Sequence, residues 1–201
     1  MEPSAFQLES HSGLNIIRLT SLDGTNRLTA DLVRSLTARI SDLAKFPTPL
    51  LITGNDRFFS AGADLTEIAA LSGPVAYEFA KMGQALMAEI ADFPAPVYAA
   101  ISGYCMGGGL DLALACHHRI ASPDSIFGHR GAALGLITGW GGTQRLPRLI
   151  GRGRALQMFV AAEKLNANDA MGLGLVDAIH ENPVVAAIAV MSRIRRPNRT
   201  E

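Results

Sequence analysis

VYAAISGYCMGGGLDLALAC, Val97 to Cys116, is the stretch whose reading decides the fold. It opens as a short apolar run of strand character and closes as an apolar, helix-like run with one carboxylate inside it, Asp111. Between them stand Gly103 and three successive glycines, Gly107 to Gly109. Glycine costs roughly 1 kcal/mol against alanine in a helix interior. Three together at a helix mouth therefore mean very close packing, or a backbone that something must approach. A parallel strand that enters a helix through glycines aims free N–H groups past its carboxyl end, because the first four amides of a helix lack internal partners. Anionic oxygen is stabilised at such a place.

Working outward, LLITGNDRFFSAGAD, Leu50 to Asp64, repeats the design: a buried strand, then a loop through Gly62 into a helical start. Two such junctions can bring two unpaired amides to one oxygen atom, as in an oxyanion hole. For either junction alone, ordinary packing through small residues is the simpler reading. AFQLES and LNIIRLT, joined by His11-Ser12-Gly13, read as a hairpin. LTADLVRSLTARISDLAKF reads as a helix with Leu32, Leu36, Ile40 and Leu43 on one face, Thr29 or Asp31 at its start, and Pro47 and Pro49 beyond it. VAYEFAKMGQALMAEIADF is helical and stops before Pro94. RIAS and IFG are short strands, followed by the glycine-rich passage GAALGLITGWGGTQRLPRLIG. RGRALQMFV and ANDAMGLG are helical, LVDAIH is a last strand, and PVVAAIAVMSRIRR makes one helix. Short buried strands alternating with helices indicate a parallel α/β arrangement.

At 201 residues the chain suits one domain, able to bury roughly 70% of the surface its unfolded form exposes. Formal net charge is zero, which gives no general attraction to nucleic acid or anionic lipid. The basic run from Arg193 to Glu201 reads as a solvated end. The N-terminus lacks the basic and long apolar segments of a secretory signal, and nowhere do about 18 uninterrupted apolar residues occur, so a soluble, cytoplasmic protein is expected. Cys105 and Cys116 read as buried reduced thiols, and metal-ligand spacing is absent. There is no phosphate loop of the G-x-x-x-x-G-K-[ST] kind, no dinucleotide fingerprint and no G-x-S-x-G nucleophile elbow.

Asn26 in GTNRLT, FFSAGADLTEI from Phe58, PVYAAISGYCMGGGLDLALAC, GWGGTQRLPRLIG and ANDAMGLGLVD form ordered blocks across most of the chain. Together they resemble the crotonase family, the enoyl-CoA hydratase/isomerase superfamily. The resemblance implies a crotonase-like (ClpP/crotonase) α/β fold, a spiral of β-β-α units that binds an acyl-CoA. Two backbone amides, which carry over to Ala63 and Gly108, would hold the thioester carbonyl. By the same likeness Ala61, Asp64 and Leu65 lie along the coenzyme A wall, mostly through main-chain atoms, and Gly107, His129, Gly139 and Trp140 are further substrate-binding candidates. Coenzyme A then enters as part of the substrate, with no separate cofactor and no metal. The glycines are explained as room for a thioester lying against the backbone.

Hydratases of this family use two glutamates, one three residues after the central glycine and one in an FG-x-x-E segment. Here Asp111 holds the first place and Gly131 the second, in FGHRGAALG. One shorter carboxylate would have to be both acid and base. Asp111 has two readings, a catalytic group or a helix-start partner of the dipole. His129 and Arg130 either replace the missing glutamate, as base and anion clamp, or cover a strand edge. Glu67 either enters the pocket or is solvated. His117 and His118 are expected to place charge at the end of the helix that follows the triplet. Trp140 is a pocket wall or core.

Residues 1–181 read as the core domain and 182–201 as a short C-terminal helix with a basic tail, shorter than the family's usual run of C-terminal helices. Exposed apolar surface is expected where such helices pack, and the family likeness implies a homotrimer or a dimer of trimers. Three alternatives to hydration or isomerisation stay open: decarboxylation or hydrolysis if His129 and Arg130 face inward, a non-catalytic acyl-CoA-binding protein, and a Clp-type peptidase. The last is disfavoured because Gly107 stands where its serine would align.

Overall fold

A computed structural model describes residues 5–11 and 13–194. Most of the basic terminal run lies outside that range. The expected hairpin forms from β1 (Phe6–His11) and β2 (Leu14–Leu19), antiparallel from the Phe6–Leu19 pair to the His11–Leu14 pair. β3 (Arg27–Leu28) leads into α1 (Ala30–Leu43), where Thr29 is the cap and its hydroxyl accepts from the Leu32 amide at 3.2 Å. Leu32, Val33, Leu36 and Ile40 are the buried stripe of α1.

Three successive turns of chain then follow one plan. β4 (Leu50–Thr53) is followed by β5 (Phe58–Ser60), β6 (Gly62–Ala63), α2 (Leu65–Ala69) and α3 (Gly73–Ala91). β7 (Val97–Ile101) is followed by β8 (Tyr104–Met106) and α4 (Gly108–Ala115). β9 (His118–Ala121) is followed by β10 (Ile126–Gly128), a 3-10 turn (Gly131–Leu134), α5 (Gly142–Ile150) and α6 (Arg152–Val160). β11 (Lys164–Asn166), α7 (Ala167–Gly172), β12 (Ala178–Ile179) and α8 (Pro183–Ile194) complete the described chain.

Each turn gives one strand to a six-stranded sheet, ordered β1-β2-β4-β7-β9-β12, and one to a four-stranded sheet, ordered β11-β10-β8-β5. Pairing in both is parallel except at β1–β2 and β10–β11. β4 and β7 are buried throughout, as strands covered on both faces must be. The main core lies between the large sheet and α1, α3 and α4, with Ile52, Leu36, Met87 and Leu112 among its members. On the opposite face α8 buries Ala187 and Met191 against Leu51, Tyr98 and Ile120.

Two features depart from the sequence reading. The strands β3, β5, β6, β8 and β11, of two or three residues each, are too short to show a period, so the helix α4 begins from the small sheet and not directly from β7. The glycine-rich passage also contains a helix, α5, with Pro147 inside it. The proline removes only the bond that would reach back to the first turn, where the ladder is barely begun.

Candidate active site

The two glycine junctions end side by side. At the first, Gly62 has φ 99°, and its amide donates to the buried Ser60 hydroxyl at 3.1 Å. That hydroxyl in turn donates to Asn26 O at 2.7 Å. Asn26, itself at φ 53°, donates through its side chain to Phe58 O at 2.9 Å, so it positions β5 and does not enter the site. At the second junction Gly107 has φ 52° and donates to Gly128 O at 2.9 Å. Gly108 is the first residue of α4 and precedes the Asp111 amide, which bonds to Gly107 O at 3.0 Å. A Cβ built on Gly108 would stand 3.3 Å from the Ala63 amide nitrogen, and one on Gly62 would stand 3.1 Å from that of Gly108.

The same geometry corrects the reason given for the triplet. Gly107 is required by its left-handed φ. A Cβ on Gly108 would press on the Trp140 ring at 2.6 Å, and one on Gly109 would meet Ser60 at 2.6 Å. Close packing against protein excludes side chains at the last two positions, before any ligand is considered.

Both junctions open on an apolar cleft of about 730 Å³. Its wall includes Ala61, Ala63, Leu65, Gly107, Gly108, Asp111, His129, Arg130, Gly131, Gly139 and Trp140. The Asp64 side chain is the cap of α2, accepting from the Thr66 and Glu67 amides at 2.8 and 3.1 Å. Those bonds hold its pKa below the usual carboxylate value. Glu67 also turns away from the cleft, accepting from the Ala30 amide at 2.8 Å and so capping α1. Trp140 serves both roles foreseen for it: it is buried, tilts against Phe79 at 5.3 Å between ring centres, and faces the cleft.

Asp111 and His129 meet at the floor. They are 1% and 4% exposed, and Asp111 Oδ1 lies 3.4 Å from His129 Nε2. Neither of those atoms has a hydrogen-bond partner among the described residues. Asp111 Oδ2 accepts from the Thr138 hydroxyl. Burial pushes the Asp111 carboxyl up to about 7, against the opposing pull of Thr138, Arg145 and the Gly142 N–H. Burial likewise pushes His129 down to about 4. Desolvation disfavours the charged form of each, so the two shifts have one cause. At the second glutamate's place, a Cβ on Gly131 would stand 2.7 Å from Leu136 O, so the backbone itself leaves no room for a side chain.

The histidines after α4 also correct an expectation. His117 accepts from the Val97 amide through Nδ1 at 2.8 Å and its Nε2 meets Ala91 O at 3.1 Å, tying the end of α3 to β7. His118 stacks on Tyr98. The cation at the end of α4 is Arg119, buried, donating to Cys116 O at 2.7 Å and to Leu175 O at 2.7 Å. A cation there complements the helix dipole. Cys105 and Cys116 are free and buried as expected. Thr138, Arg145 and Lys164, which also bear on the cleft, carried no signal in the sequence.

Residues 9–198 match the family profile described as enoyl-CoA hydratase/isomerase. A probable enoyl-CoA hydratase of Bacillus subtilis (strain 168) is 47% identical over 128 residues, which is 63% of this chain and 50% of that protein. The match thus spans half the length of that curated relative. Among solved structures, Pseudomonas aeruginosa DspI superposes with a TM-score of 0.93 at 32% identity, over 98% of this chain and 77% of that one. An enoyl-CoA hydratase from Bacillus anthracis gives 0.90 at 31% identity, over 95% and 76%.

Proposed function

The chain belongs to the enoyl-CoA hydratase/isomerase family, and from that premise we propose that it is an enzyme of acyl-CoA thioesters working through an enolate. The observation that carries the reading is the adjacency of the Ala63 and Gly108 amides at a cleft that also holds one protonatable carboxyl, Asp111. As a proton leaves the α-carbon, or a nucleophile adds at the β-carbon, charge gathers on the thioester oxygen. Two amides held by strand and helix starts meet that charge without reorganising. Asp111 takes up and returns the proton. Leu65 and Trp140 offer apolar wall to the acyl group, and coenzyme A arrives with the substrate.

The products of such chemistry belong to fatty-acid or related acid metabolism in the cytoplasm. Trimeric assembly completes the reading, supported by the exposed apolar side chains of Leu156 and Val160; light scattering of the purified chain gives its mass. Conversion of crotonyl-CoA and longer enoyl-CoA esters, followed by loss of the conjugated thioester absorbance and by product mass, tests the activity. Turnover abolished in Asp111→Asn supports it. Tight calorimetric binding of acyl-CoA without turnover of any ester would instead identify a non-catalytic acyl-CoA-binding protein. A second reading, decarboxylation of a carboxylated acyl-CoA, is favoured by Arg130 and His129 both facing the cleft, and turnover restricted to malonyl-type esters would select it.

A further inference from the structure

The floor of the cleft poses a problem that the enolate reading does not solve. Asp111 Oδ1 and His129 Nε2 are two buried, unpartnered polar atoms 3.4 Å apart. Leaving either unsatisfied costs roughly 1–3 kcal/mol, and one proton between them satisfies both. Gly142 closes the third side: its Cα lies so near that an added Cβ would stand 2.9 Å from His129 Nε2. Thr138 already donates to the other carboxyl oxygen, so Oδ1 is the oxygen left for a proton.

We propose that Asp111 and His129 share a single proton and act as one acid–base unit, with His129 the positioning residue that keeps Oδ1 protonated and aimed. The imidazole is neutral, its Nε2 lone pair accepting from the Oδ1 hydroxyl. In the deprotonated unit the same lone pair faces the carboxylate and raises its proton affinity. Its catalytic meaning rests on the enolate reading. In the deprotonated unit the substrate C–H bond breaks, its electron pair enters the enolate, and the proton passes to the Asp111 carboxylate, which lines the cleft. The reverse step returns that proton to carbon. Such a unit needs no second carboxylate, which accounts for a functional site in which Gly131 has no room for one.

Of the charged groups nearby, Arg145 from α5 acts on the Asp111 carboxyl, and Arg130 and Lys164 stand in the cleft wall. Burial alone disfavours an imidazolium at His129. In the unfolded chain near pH 5 the proton would sit on the histidine and the carboxyl would be charged. Folding therefore moves one proton from ring to carboxyl with no net uptake. The two linkage slopes cancel: a raised carboxyl pKa makes stability fall as pH rises from about 4 to about 7, and a lowered histidine pKa makes it rise from about 4 to about 6.5.

Nitrogen-15 NMR of the ring in the wild-type protein is the direct test, and it requires no substrate. Nε2 of His129 is expected to be unprotonated at pH 6; a doubly protonated imidazolium there overturns the proposal. In Asp111→Asn the carboxyl slope is gone, so its stability relative to wild type should rise with pH between about 4 and 6.5; a flat difference overturns the shared proton. With turnover established, His129→Gln, whose amide can donate to Oδ1, should lower kcat roughly 10- to 100-fold with KM nearly unchanged, and move the midpoint of the kcat/KM profile to lower pH. An unchanged profile and kcat overturn the positioning role. If no acyl-CoA is turned over, the enolate reading fails while the ring spectrum still decides the pair. If Asp111→Asn is inactive yet His129 is charged at pH 6, the pair fails and the enolate reading stands.

Discussion

The two strand-to-helix junctions look alike in sequence and are held by opposite means. At α2 a side chain does the work: Asp64 takes two helix amides, and none of the five helical residues is buried. At α4 the cap is Gly107, which has no side chain to offer, and every residue from Gly109 to Ala115 is buried. Its far end is held by Arg119, from the next strand. A locally capped helix can stand at the surface, whereas an uncapped one must be fixed by its surroundings. That fixing leaves the leading amide of α4 beside Ala63 with no side chain over it.

The sharpest way to break this contrast is Asp111→Asn, which keeps the shape of the buried carboxyl and removes its proton chemistry. Turnover of an enoyl-CoA ester should fall by roughly 10²–10⁴ in kcat while the circular dichroism spectrum stays that of wild type. Persistent turnover would mean that the reacting group is not at the buried junction.

Ala63→Pro deletes one amide hydrogen, with an expected loss of roughly 10²–10³ in kcat. A drop in KM affinity alone, with kcat kept, would show that the Ala63 N–H faces something other than the developing oxyanion.

Gly108→Ala retains the amide but drives a methyl toward Trp140, 2.6 Å away. Urea unfolding should show a loss of about 1–3 kcal/mol, partly recovered in the double variant with Trp140→Leu. No loss would place the tryptophan elsewhere.

The smallest effect belongs to the surface junction. Asp64→Ala should cost about 1 kcal/mol and leave kcat unchanged. Because its pKa is depressed by the cap bonds, the cap contribution is present above the ordinary aspartate value and fades as pH falls through the folded one. The variant and wild type should therefore converge in stability toward low pH, and a constant gap would argue against a charged cap.

How much of this was legible follows from the range of each signal. The caps Thr29 and Asp64 act on amides two or three residues away, and Thr29 was legible for that reason. Glu67 was misplaced for the opposite reason: its partner, the Ala30 amide, is 37 residues distant. His117 was read with α4, which it follows, although it binds α3 and β7. The three-residue strands β5 and β8 were not read, although β10, equally short, was; each lies directly before or within a glycine junction that reads as loop, and their pairing partners come from other turns of the spiral.

By itself, then, the sequence determined the succession of buried strands and helices, the two glycine junctions and the family, because apolar period, left-handed glycine positions and ordered motifs are properties of neighbouring residues. Only the tertiary structure decided which groups face one another: Thr138 and His129 at Asp111, Arg119 at Leu175 O, Trp140 against Gly108. Those meetings join residues far apart along the chain, and what selects them is the packing of a desolvated interior, where a polar atom must find whichever partner the folded turns bring within reach.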